Sequence, residues 1–69
     1  MTIGQKIKSY RIKRGVSQQT LANQIGVGRM HITKIELGVE PPSLYLLVRI
    51  AQVLQIKEFN KALKILGAI

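Results

Sequence analysis

Arg29, Met30, Thr33 and Lys34 lie close together in the chain, at spacings that put them on one side of a helix. Three of them carry hydrogen-bond donors and the fourth is a flexible apolar side chain. An α-helix fits the major groove of duplex DNA, where every base pair shows its own pattern of donors, acceptors and methyl groups. The chemistry on offer is therefore recognition. Arg29, near the start of that helix, can fork onto N7 and O6 of a guanine, a pairing worth about 1–3 kcal/mol of discrimination, or it can clamp a phosphate. Lys34 reaches guanine or phosphate one turn further on. Thr33 and Met30 suit base edges, a thymine methyl included, although Met30 equally suits packing against a neighbouring helix. Upstream, Gln18 can bond a phosphate, meet a base, or brace another side chain across the groove. His31 adds a phosphate contact when protonated, or is simply a solvated helix position.

Composition argues against other chemistries. Three glutamates, no aspartate and one histidine leave little from which to assemble an acid–base pair. The absence of cysteine excludes disulfides and thiolate metal sites, and a lone histidine cannot hold a metal. No catalytic residue, metal ligand or cofactor is expected. Charge is the stronger signal, at a formal +8. Lys6, Lys8, Arg11, Lys13, Arg14, Arg29 and Lys34 all precede Glu36, the first acidic residue, whereas the four later basic residues are offset by three glutamates. Such asymmetry marks a surface that meets a polyanion. Lys6, Lys13 and Arg14, with Lys8, are candidate phosphate contacts, although one helix cannot turn all of them to DNA, and Gly28, just before Arg29, is a further candidate. Lys57, Lys61 and Lys64 form a second stripe, solvent-facing or DNA-flanking. No apolar run approaches the roughly 20 residues of a membrane span, and no signal-peptide core is present, so a cytoplasmic protein with no membrane partner is expected.

These side chains must be positioned by a small scaffold. At 69 residues the chain reads as one domain, 1–69, burying only about 60% of its unfolded surface. Ile3, Ile7, Tyr10 and Arg14 recur at helical spacing, predicting a helix over Ile3–Arg14 with Gly15 as its cap. Arg11 shares the inward stripe of Ile3 and Ile7, and a buried guanidinium requires a carboxylate. Ser17 is a good N-cap for a second helix, whose apolar face is Leu21, Ala22 and Ile25 and which Gly26 stops. Val27 plugs the corner. A third helix runs from Gly28 to Gly38 with Ile32 and Ile35 inward. Glu36 falls near its C-terminus, against the helix dipole, and Arg11 is the partner that explains both awkward positions. Pro41 and Pro42 forbid continuation. Ser43 caps a fourth helix presenting Leu44, Leu47, Val48, Ile50, Ala51 and Leu54, the expected buried centre. A last helix from about Lys57 to Leu66 shows Phe59, Ala62, Leu63 and Leu66 on one side. The expected fold is all-α, a bundle of about five short helices.

The residues Arg11-x-x-x-Gly15-Val16-Ser17-Gln18, Leu21-Ala22, Ile25-Gly26-Val27, Ile32, Ile35-Glu36-x-Gly38 and Pro42-Ser43-Leu44, followed by Leu47, Ala51 and Leu54, resemble the phage repressor and Cro-type (XRE-like) helix-turn-helix DNA-binding domains. The similarity covers roughly residues 3–59, with the motif at Ser17–Gly38. It implies a lambda-repressor-like bundle and a sequence-specific regulator of transcription that is not an enzyme. It gives Gln18 a contact to the DNA backbone or a base edge. Gly28, Arg29, Met30, Thr33 and Lys34 match the exposed side of the recognition helix, and Arg11 with Glu36 match a structural ion pair. Three departures bear on docking. Gly28 replaces a hydroxyl residue and so loses its side-chain phosphate contact, Leu37 replaces a polar residue, and Gln55 replaces a glycine.

One recognition helix reads only a few base pairs, so a homodimer on a near-palindromic double-stranded operator is expected, with half-sites about 34 Å apart. Phe59, Leu63, Ile65, Leu66 and Ile69 are the candidate dimer contacts, the alternative being a tail packed on its own domain. Two further possibilities are an antitoxin bound to a toxin protein and a restriction–modification controller. The segment also suits the N-terminal domain of a longer repressor. With one Phe and two Tyr, the chain lacks the stacking platform of single-stranded RNA readers.

Overall fold

The computed structural model describes residues 1–67, which form five helices: α1 (Ile3–Lys13), α2 (Gln18–Ile25), α3 (Arg29–Leu37), α4 (Leu44–Leu54) and α5 (Lys57–Ile65). Local chemistry sets most of the boundaries. Thr2 and Gln5 build a capping box, the Thr2 hydroxyl accepting from the Gln5 amide at 3.1 Å and the Gln5 side chain accepting from the Thr2 amide at 2.9 Å. Ser17 accepts from the Thr20 amide and Ser43 from the Leu46 amide, starting α2 and α4. Gly26 ends α2 at a φ of 78°, a left-handed turn that a side chain would strain, and so sends the chain sharply into α3.

Ile7 of α1, Leu21, Ala22 and Ile25 of α2, Ile32 and Ile35 of α3 and Leu46, Ile50, Ala51 and Leu54 of α4 make the core, closed by Ile56 and Leu63. Burying an Ile or Leu in this way contributes about 1.5–3 kcal/mol each before opposing entropy. α4 is central, packing on α1, α2 and α5. α1 lies close on the end of α3. A Cβ added to Gly4 would collide with the Ile35 carbonyl oxygen and sit 2.8 Å from that of Glu36. Glycine is thus required in the first turn of α1, because the two backbones touch.

The boundaries depart from expectation by a residue at two ends. α1 stops at Lys13 with Arg14 as its cap, and α5 stops at Ile65. Leu44 does not join the core but is 58% exposed, because it begins α4 beyond the reach of the packed faces. Ile56, outside every helical stripe, is fully buried. Among the described residues no helix is long and apolar enough to cross a membrane.

Candidate nucleic-acid interface

At about 100° per residue, Arg29, Thr33, Leu37, Met30 and Lys34 occupy one arc of α3, while Ile35 and Ile32 lie on the other side and Glu36 turns inward at the margin beside Arg29. Exposure follows the same division. Met30 is 60% and Leu37 71% exposed, Arg29 and Lys34 are exposed, and Thr33 is half-buried at the α2 edge. Arg29 and Lys34 make no ion pair among the described residues. Their charges are therefore open to an external anion. His31 lies at the margin of this arc, half-buried, with Nε2 3.5 Å from Glu40 Oε1. Gly28, the α3 N-cap, has no side chain to cap the helix. It is exposed, which leaves the positive end of α3 open.

The inner side of α3 is tied down by charge. Arg11 Nε donates to Glu36 Oε2 at 2.7 Å, Arg11 Nη2 donates to Glu36 Oε1 at 3.1 Å, and Arg11 Nη1 donates to the Val16 carbonyl at 3.0 Å. The two side chains are 11% and 3% exposed. Both are desolvated, and the bidentate geometry offsets that penalty. The network continues outward. Gln18 Nε2 donates to Glu36 Oε1 at 3.0 Å, and the Thr33 hydroxyl lies 3.1 Å from Gln18 Oε1 and 3.2 Å from the Arg29 carbonyl oxygen. One hydrogen-bonded chain thus runs from α1 through α3 to α2 and back to the exposed face of α3.

The basic side chains of α1 are brought together elsewhere. Arg14, a candidate phosphate contact, donates from Nε to the Leu54 carbonyl at 2.9 Å and from Nη2 to the Gln55 carbonyl at 3.2 Å. It satisfies the open end of α4, whose carbonyls have no helical partner. Lys6 Nζ lies 3.1 Å from Glu58 Oε1, and Tyr10 donates its hydroxyl to the same oxygen at 2.9 Å. The Lys6 ammonium first, and the Tyr10 hydroxyl second, hold the Glu58 carboxyl below the usual carboxylate range, and the bond to Glu58 in turn pushes the Tyr10 hydroxyl up. Lys13 stays exposed, with Nζ 5.6 Å from the Tyr10 ring centre. Lys6 and Arg14 therefore spend their charge within the fold, on Glu58 of α5 and on the carbonyls that end α4, which periodicity within α1 alone could not reveal. Arg49 is another contributor outside the sequence-based set. It donates to the Gln24 carbonyl at the end of α2 and lies 5.9 Å from the Tyr45 ring.

The candidate dimer contacts divide. Leu63 is 3% exposed and belongs to the core, with Phe59 packed beside it, because both sit on the side of α5 that faces α4. Ile65 and Leu66 are each 77% exposed. Ile69 lies outside the described residues. An apolar groove of about 300 Å³ runs between Ile3, Leu44, Leu47, Ala62 and Leu66. No group of three or more His, Cys, Asp or Glu side chains among the described residues is placed to hold a metal.

A short helix anchored on its inner face, turned outward with cationic and polar side chains, and joined to its predecessor by a left-handed glycine corner defines a helix-turn-helix domain. The helix-turn-helix family model matches residues 7–59, and the chain belongs to that family. It is 36% identical over 55 residues to the transcriptional regulator SinR of Bacillus subtilis, covering 78% of this chain and 50% of SinR. The chain thus spans about half the length of that relative. An uncharacterized helix-turn-helix type regulator of Methanocaldococcus jannaschii is 40% identical over 52 residues, covering 75% of this chain and 79% of its own length. The crystal structure of SinR, the master regulator for biofilm formation, in complex with DNA is similar at a TM-score of 0.72 and 36% identity, covering 78% of this chain and 87% of that one.

Proposed function

We propose that this chain is a sequence-specific, double-stranded-DNA-binding regulator of transcription, a cytoplasmic repressor that occupies its operator by laying α3 in the major groove. The observation that carries the reading is the outward arc of α3. It presents Arg29, Met30, Thr33 and Lys34 together, unpaired by any carboxylate among the described residues, on a helix fixed from behind by Arg11 and Glu36. Likeness to a protein solved on DNA supports it. In this reading Arg29 and Lys34 meet guanine edges or phosphates, Thr33 and Met30 fill the space between, and the amides at Gly28 take a phosphate. His31 and Lys13 add backbone contacts at the margins. Because so short a surface reads few base pairs, two copies act on an inverted repeat. The exposed apolar residues Ile65 and Leu66, beside the groove with Ile3 and Leu44, supply a contact between the copies.

Selection of binding sites from random duplex DNA tests this function. The wild-type chain is expected to recover an inverted-repeat consensus. Arg29→Ala should relax preference at one position of each half-site, by about 1–3 kcal/mol, while Lys13→Ala should weaken all sequences alike. Recovery of no consensus would refute a sequence-specific regulator.

A further inference from the structure

The polarity of the Gln18 amide follows from the chemistry of its neighbours. Glu36 Oε1, 3.0 Å from Gln18 Nε2, belongs to a carboxylate already engaged by Arg11, and such a group accepts hydrogen bonds but donates none. A carbonyl oxygen turned toward it would meet lone pair with lone pair. The NH2 end of Gln18 must therefore face Glu36, and its Oε1 must face Thr33. There it competes with the Arg29 carbonyl oxygen for the single hydroxyl proton. Once these bonds are made, Gln18 retains one N–H with no acceptor among the described residues. That donor sits on a half-buried side chain at the seam between α2 and α3, next to the Arg29–Lys34 arc.

We propose that Glu36 is a positioning residue for recognition. Acting through Gln18, it fixes a single N–H donor at the α2–α3 seam, and this donor takes an acceptor atom of DNA, either a phosphate oxygen or a purine N7. The inference rests on the DNA-binding function proposed above. It gives the Arg11–Glu36 pair a second task besides stability, with Arg11 fixing the carboxylate in place and Glu36 holding the amide in one orientation. A freely rotating Gln18 would lose this advantage, since ordering a glutamine side chain on binding has an entropic cost.

Two variants separate positioning from scaffolding. Gln18→Met removes the donor at nearly constant length. Arg11→Met with Glu36→Leu replaces the ion pair by apolar groups of similar volume, a change that buried pairs often tolerate. Affinity is read by fluorescence anisotropy at fixed salt on a duplex recovered by selection. Gln18→Met is expected to weaken binding about tenfold, the worth of one hydrogen bond to a charged or strongly polar acceptor, and replacing the pair to weaken it about threefold, the cost of ordering a freed glutamine side chain. The triple variant should bind no more weakly than Gln18→Met alone, because without the donor there is nothing left to orient. Multiplied losses of about thirtyfold, or an unchanged affinity when the pair is replaced, overturn the proposal.

Nitrogen-15 NMR of the wild-type chain provides a readout that needs no variant. Nitrogen-15 relaxation should give the Gln18 side-chain Nε2 a far higher order parameter than that of exposed Gln52, and a value as low as that of Gln52 overturns the positioning role. Duplexes with single methylphosphonates remove phosphate oxygens, and those with single 7-deazapurines remove N7. The substitution that weakens wild-type binding but not Gln18→Met binding identifies the acceptor, and the absence of any such substitution counts against the proposal. A wild-type chain that binds no duplex at all removes the DNA-binding function itself. One that binds with multiplicative losses removes only the role of Glu36.

Discussion

Replacing Arg11 by methionine keeps most of the side-chain volume while deleting three hydrogen bonds, two to Glu36 and one to the Val16 carbonyl. Glu36 is then left with Gln18 as its only side-chain partner among the described residues, and its side chain is 3% exposed. Little solvent is available to take over the charge. Breaking a buried pair from one side costs about 3–5 kcal/mol, because an uncompensated charge stays behind. For 69 residues the total stability is about 3–10 kcal/mol at roughly 0.05–0.15 kcal/mol per residue, so the loss approaches the whole. At about 4–8 °C per kcal/mol the thermal midpoint should fall by about 12–40 °C. Urea denaturation followed by circular dichroism measures this directly. One further outcome is required by the same argument. Adding Glu36→Leu should recover most of the loss, since the orphaned charge is gone. A loss below about 1 kcal/mol, or a double variant no better than the single, would refute the reasoning.

Gly4→Ala normally favours a helix by about 1 kcal/mol, but here the new methyl meets the Ile35 carbonyl oxygen. A net destabilisation of about 1–3 kcal/mol in urea is expected instead, and a stabilisation would show that α1 and α3 can part freely. Glu58→Gln should lower the urea midpoint at neutral pH. The folded carboxyl is held low by Lys6 and Tyr10, so its contribution is present above the unfolded carboxylate range and lost as pH falls through the folded value. The gap between wild type and variant should therefore shrink as the solution is made acid, and an equal gap at neutral and acid pH would exclude the linkage. Leu66→Glu, at a position 77% exposed, should leave stability within about 0.5 kcal/mol but abolish two-copy occupancy of an inverted repeat in a gel-shift titration. Retained pairing would move the dimer contact elsewhere.

Much of the scaffold was legible because its determinants are local. Ser17 and Ser43 start their helices with their own side chains, and Gly26 ends α2 because its φ is open to glycine. The Arg11–Glu36 pairing was legible for a different reason: periodicity placed a guanidinium inward and a carboxylate at an unfavourable helix end, and neither is tolerable alone. The donor arc of α3 followed from spacing in the same way. The Thr2–Gln5 capping box was equally local and passed unread.

The sequence by itself thus determined the helices, their turns, the inward charge and the outward arc, all of which depend on residues within a few positions of one another or on a charge that must be matched. The tertiary structure alone decided where long side chains spend their reach. Arg14 and Lys6 carry the same charge as any phosphate-binding residue, and only the position of the α4 end and of Glu58 diverts them. Leu63 and Leu66 share one apolar stripe, yet packing against α4 buries the first and leaves the second open. Gly4 is small because α3 passes against it. Gln18 is oriented because Glu36, distant in sequence, presents only an acceptor. Each of these depends on the meeting of surfaces far apart in the chain, which spacing within one helix does not encode.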